Sequence, residues 1–261
     1  MVARMEQITP ELQNLYSELI NHMKQGVEMH EQLSDYYAFL NLPGYQKCHE
    51  YQMLCELLTY RKAKDMYLKE YNKLVQPTYA DNGAMNNMSA NNNGNSMRQR
   101  RNYAADVIPT NWYNHTRYDV DASTKRNAVK EGFKKWIDYE KDTKQFLTQT
   151  IQKLEQMDEH EAARKLEYLV DHVEKEIDSA EEKLMNLESA GYDMNYILQQ
   201  QEELKRKYAK KIREMNDKNA QYRYRGSGNY ANYSFTDDDD DEDFEMYKAP
   251  MPDHRRYGRY Y

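Results

Sequence analysis

KLEYLVDHVEKEIDSAEEKLMNLESAG, residues 165–191, sets Leu166, Leu169, Val170, Val173, Ile177, Ala180, Leu184 and Leu187 at steps of three and four. That spacing gathers the apolar side chains on one stripe of a helix and leaves the opposite face charged. The stripe reaches back to Ala163, and Gly191 ends it. Upstream, DYEKDTKQFLTQTIQKLEQ at 138–156 belongs to a helix starting near Ser123, with Phe133, Ile137, Leu147, Ile151 and Leu154 on its stripe. Glu140 and Lys144 hold the stripe positions between Ile137 and Leu147. Met157, Asp158 and Glu159 form a corner between the two helices, short enough to make residues 123–191 an antiparallel hairpin.

A second hairpin precedes it over residues 1–75. Leu12, Leu15, Leu19, Met23, Val27, Leu33, Tyr37 and Leu40 keep helical spacing over residues 10–41, with His30 in the one gap of that rhythm. Thr9 is suited to cap this helix, Pro10 to open it, and Pro43 with Gly44 to end it. Neither Pro nor Gly interrupts Tyr45 to Val75, where Cys48, Tyr51, Leu54, Cys55, Leu58, Met66 and Tyr67 repeat the pattern. Residues 76–122 differ in composition: NNMSANNNGNSMRQRR at 86–101 buries too little apolar surface to offset the entropy of ordering it. This segment reads as a crossover linker, with the more apolar Val107 to Tyr113 suited to lying across the bundle.

Beyond Gly191, residues 192–225 predict a fifth helix from Asn195 to about Tyr222. Its apolar stripe (Ile197, Leu204, Tyr208, Ile212, Met215) is thin and its polar face is rich in Lys and Arg, so we expect accessory packing outside the core. Residues 226–261 carry the acidic run Asp237 to Asp243 and predict a disordered tail. The expected fold is all-α: a four-helix bundle of two antiparallel hairpins with a long crossover, an accessory fifth helix and a tail.

With these segments in place the chain resembles the ferritin-like superfamily of ferritins and rubrerythrins. The resemblance rests on LSDYYAFLNLPGYQKCHEYQMLCE at 33–56 and on the two segments at 138–156 and 165–191. It implies two metal ions inside the bundle, held by a Glu from each of two helices and a Glu-x-x-His from each of the others. Carried over by position, Glu56, Glu140 and Glu176 match the glutamates of helices two, three and four. Thr59 and Ser179 stand where the histidines belong, and the first helix offers Glu28 or Glu31, with His30 on the inward stripe. His30, Glu56, Glu140, His172 and Glu176 together would make a rearranged site, since His172 and Glu176 share a helical face. Against it stands a simpler reading, in which His30 is a hydrogen-bonded core histidine and Glu140 pairs with Lys144 or another neighbour.

Composition narrows the function classes. Apolar residues make up 39% of the 261, no 18-residue apolar run occurs, and the N-terminus lacks a basic-then-apolar leader, so we expect neither membrane span nor signal peptide. Cys48 and Cys55 lie roughly 10 Å apart along one helix at about 1.5 Å per residue, which predicts reduced thiols in a cytoplasmic protein. Cys48 beside His49 is a weak nucleophile signal. Residues 123–225 carry 21 basic and 21 acidic side chains, while 226–261 carry 4 and 9, so the net charge of −7 comes mostly from the tail. The basic run LKRKYAKKIR at 204–213 lacks interleaved aromatic platforms and reads as a solvated face, which argues against nucleic acid as a partner. Of the 25 tyrosines, eight follow position 221, and Tyr247, Tyr257, Tyr260 and Tyr261 are candidate docking residues for a protein partner or for a homo-oligomer.

Three functions follow. The preferred one is a non-catalytic helical-bundle scaffold, phage- or bacterium-encoded, docking through its Tyr-rich tail and virion-associated if phage-encoded; it needs no cofactor. The second is a ferritin-like metal-binding protein taking iron or manganese. The third is a nucleic-acid-associated protein.

Overall fold

The computed structural model describes residues 8–71 and 120–225. The Asn-rich crossover, the Val107 to Tyr113 stretch and the tail with Tyr247, Tyr257, Tyr260 and Tyr261 lie outside these residues. Five helices make up the described chain: α1 (Pro10–Phe39), α2 (Pro43–Tyr71), α3 (Ala122–Gln156), α4 (His160–Ser189) and α5 (Met194–Arg225). No helix among the described residues is long and apolar enough to cross a membrane.

Helix ends follow local chemistry. Thr9 Oγ1 accepts from the Leu12 amide at 3.2 Å, and Asp121 Oδ1 accepts from the Thr124 amide at 2.7 Å, satisfying donors that a first turn leaves open. Between α1 and α2 the turn is made by Asn41 at φ 55°, so Pro43 and Gly44 open α2 instead of ending α1. Proline suits a first turn because its missing N–H would have no partner there. Asp158 at φ 60° turns the α3–α4 corner, and Gly191 and Tyr192 at φ 60° and 53° turn the next.

The direction of each helix can be read from its contacts. Gly26, His30 and Tyr37 meet Glu56, His49 and Tyr45, so α1 and α2 are antiparallel. Lys141–Glu181 and Lys144–Glu174 ion pairs, at 2.5 and 2.6 Å, run in opposite order along α3 and α4. In contrast, Tyr45, His49 and Glu56 of α2 meet Phe133, Trp136 and Glu140 of α3 in the same order, so these two helices are parallel. A connection between parallel neighbours must travel back along the bundle. Across the 29 residues of α2 that is about 43 Å, more than a short turn can span.

The fifth helix departs from expectation. Ile197, Leu204, Tyr208, Ile212 and Met215 are all buried and cluster with Tyr51, Leu54 and Leu58 of α2. Its stripe is thin in residue number but gains cover from basic neighbours. Lys207 and Lys211 lay their ammonium groups 5.7 and 5.9 Å from the Tyr208 and Tyr51 ring centroids, so their stems extend the apolar seam. The seam is tight at Gly44, where an added Cβ would meet Gln201 backbone carbon 2.5 Å away. Gly44→Ala is expected to destabilise the protein by about 1–3 kcal/mol as α5 is pushed off. An unchanged urea midpoint would show that this seam carries no stability.

Buried apolar side chains form two clusters, one at each half of the bundle. Leu12, Leu19, Leu147, Leu166 and Val173 belong to the first, and Met29, Leu33, Phe133, Trp136 and Ala180 to the second. Between them lies a belt of buried polar residues, His22, Thr143, Glu56, Glu140 and Glu176. A polar layer inside an apolar bundle is costly unless its groups are paired, and this is where the candidate site sits.

Candidate metal centre

Glu56 of α2, Glu140 of α3 and Glu176 of α4 each bring a carboxylate oxygen within 4.8 Å of the others. Glu140 is fully buried, and Glu56 and Glu176 are each 8% exposed. Their convergence follows from register, because α2 and α3 run parallel and α4 returns antiparallel at the same level. Trp136 Nε1 donates to Glu140 Oε1 at 3.2 Å, and His172 Nε2 lies 3.3 Å from Glu176 Oε1. The other oxygens, Glu140 Oε2 and Glu176 Oε2, are buried with no hydrogen-bond partner among the described residues.

Electrostatics mark the cluster as strained when empty of counter-charge. Burial, and then the Glu176 charge, push the Glu56 carboxyl well above its ordinary range. Burial acts likewise on Glu140, followed by the charges of Glu176 and Glu56, with the Trp136 bond pulling back. Buried this close together, Glu56 and Glu140 favour a shared proton or a cation over two bare charges.

α1 contributes no carboxylate here. Gly26 faces the cluster, and a Cβ on it would lie 2.7 Å from Tyr139 Cζ and 2.9 Å from Glu56 Oε2. Tyr139 fills that space, donates its hydroxyl to the His22 carbonyl at 3.3 Å, and stacks on the His22 ring at 5.3 Å. Thr143 donates to the Tyr139 carbonyl and so accepts from His22 Nε2 at 2.8 Å, which fixes the histidine tautomer. Glu28, one of the two expected candidates on α1, instead pairs with Lys24 at 3.0 Å.

The sequence-predicted residues therefore separate. His172 joins the cluster through Glu176. His30 does not reach it: its Nδ1 lies 2.9 Å from Nδ1 of His49, and both rings are fully buried beside Trp136. The core-histidine reading of His30 holds, with a partner the sequence did not single out. The proposed Glu140–Lys144 pair does not form; Lys144 is half-exposed and bonds Glu174. Cys48 is a buried free thiol whose pKa burial raises, which disfavours the thiolate form despite its neighbour His49. Along α5, Lys205 and Lys210 pair with Glu202 and Glu214 at 4.0 and 3.4 Å on an exposed face, as a solvated basic run would.

Helix directions, the long crossover and the buried carboxylates at mid-bundle define a ferritin-like fold. Among solved structures, the chain is similar to the ferritin of Archaeoglobus fulgidus. Its engineered closed form matches at TM-score 0.53 and 15% identity, over 76% of this chain and 97% of that one. The open-pore form from the same archaeon matches at TM-score 0.52 and 15% identity, over 76% and 96%. No protein-family model matches the sequence, and no curated protein matches it.

Two ions of the kind this fold class holds do not fit the residues present. Both Glu-x-x-His pairs are missing: Thr59 is buried in place of one histidine, and Ser179 receives the Lys183 ammonium in place of the other. Gly26 and Tyr139 occupy the space of the first-helix carboxylate. One ion does fit, since one oxygen of each of the three carboxylates converges with the others, and Glu140 and Glu176 each keep an oxygen without a donor.

Proposed function

We propose that the protein is a ferritin-like bundle stabilised by a single divalent cation held between Glu56, Glu140 and Glu176. His172 orients Glu176 from one turn away. The observation that carries this reading is the pair of orphaned, buried oxygens, Glu140 Oε2 and Glu176 Oε2, in a three-carboxylate cluster. Hard oxygen donors with one imidazole nearby suit Mn(II) or Fe(II) better than soft ions. When bound, the ion would replace shared protons and tie α2, α3 and α4 together, a structural role that agrees with a scaffold.

Full-length protein dialysed against Mn(II) is expected to retain about one ion per chain, and Glu140→Ala to retain none. Metal analysis after dialysis measures both. Two ions per chain, or one ion retained by Glu140→Ala, would overturn the reading.

A further inference from the structure

Trp136 donates to the carboxylate cluster from a side chain that is packed on several sides. It is fully buried on α3, and its ring is enclosed by Phe133 at 5.9 Å, His30 at 5.6 Å and His49 at 5.5 Å between centroids. Both histidines meet it edge-on, at 86° and 71°. The Lys183 ammonium of α4 covers its face at 5.9 Å from the centroid. Helices α1, α2, α3 and α4 thus all fix the indole plane. A phenyl ring would fill only part of this volume and carries no donor, whereas the indole places its one N–H on Glu140 Oε1 at 3.2 Å, four residues along the same helix.

The consequence lies in the other oxygen. With Oε1 held by the indole, the Glu140 carboxyl cannot rotate freely, and its Oε2 is left without a partner in the cluster, as Glu176 Oε2 is. The buried histidine pair belongs to this arrangement: His30 and His49 bond each other through Nδ1 and present their ring edges to the indole. Resting on the single-cation reading, we infer that Trp136 is a positioning residue for the metal centre, which presents Glu140 to the ion through one oxygen. Hydrogen-bonded partners behind a ligand set its direction and basicity, and losing one typically weakens metal binding about 10–100-fold.

The test has two arms. First, full-length Trp136→Phe is titrated with Mn(II), and its affinity is expected to fall about 10–100-fold with the one-ion stoichiometry kept. Second, wild-type protein labelled with nitrogen-15 at the indole is titrated with Zn(II), with Trp112→Phe assigning the two resonances. The Trp136 N–H resonance is expected to shift in step with occupancy. This arm needs no variant at position 136, so it decides the matter even if Trp136→Phe misfolds. Equal Mn(II) affinity in a folded Trp136→Phe overturns the inference and leaves the single-cation reading standing. So does a loss of affinity with an unmoved wild-type indole resonance, which marks a packing effect. Failure of the wild-type protein to bind either ion removes the single-cation reading itself, and the inference with it.

Discussion

Acidification from pH 6.5 to about 3 is expected to remove about 5 kcal/mol of stability through His49 alone. Burial, and then the Lys183 charge, lower this imidazole from 6.5 to about 3, so the folded protein keeps it neutral while the unfolded chain takes up a proton first. Its contribution is therefore complete above pH 6.5 and is lost as the pH falls toward 3. His30 is lowered in the same direction, by burial and then by His49. Set against a total stability of about 5–15 kcal/mol, the loss by pH 3 is a large fraction of the whole. His49→Phe keeps an aromatic ring against Trp136 and Tyr37 and removes one of the two titrating imidazoles. Urea midpoints at pH 4, 5, 6 and 7 should fall steeply with acid in the wild type and less steeply in His49→Phe, where His30 remains. Parallel slopes in the two proteins would show that the buried pair does not govern acid stability.

How much of this could be read in the sequence depended on whether periodicity or geometry carried the signal. Helix spans were legible because Leu, Ile and Val at three-and-four spacing leave few alternatives, and short corners made the two hairpins legible. The three glutamates were also legible, since Glu140 lies on the apolar stripe of α3 where a charge is out of place. Their partners were not. Trp136 is four residues before Glu140 on the same face, but an apolar-looking residue on an apolar stripe gives no sign that its N–H is used. His49 looked like a neighbour of Cys48, because pairing it with His30 requires knowing the register of α1 against α2. Tyrosine held a second, unread signal. The excess suggested a docking tail, which lies outside the described residues, while Tyr16, Tyr37, Tyr45, Tyr67 and Tyr139 are fully buried in the bundle. One signal could have exposed this. Gly26 and Gly132 interrupt helices at a cost of about 1 kcal/mol each, and a glycine kept at that cost marks a close approach. The structure places the hydroxyls of Tyr139 and Tyr37 against those two positions.

Raising the pH is expected to act on the carboxylates in the direction opposite to its effect on the histidines. Glu56 and Glu140 are held above their unfolded value of about 4.3, so their contribution is complete below that value and is lost as the pH rises through the folded one. Chelator-treated protein should thus weaken toward alkaline pH. Glu140→Gln removes one titrating carboxyl while keeping an oxygen for the Trp136 N–H. Without metal it should be more stable than wild type at pH 8 and nearly equal to it at pH 4. Cation binding reverses the order. Mn(II) at 100 times its dissociation constant adds about 2.7 kcal/mol to the wild type, which is about 5–10 °C in melting temperature for a domain of this size. Glu140→Gln should gain much less, because a neutral amide supplies no charge to the ion. Melting curves of both proteins at pH 8, with chelator and with Mn(II), give all four values. A wild-type midpoint unmoved by Mn(II) would mean that protons, and not a cation, settle the three carboxylates. An equal gain in both proteins would place any bound ion away from Glu140. The crossing of the two stabilities ties the cluster to one chemistry: a carboxyl that destabilises the empty bundle is the same group that lets the cation hold it together.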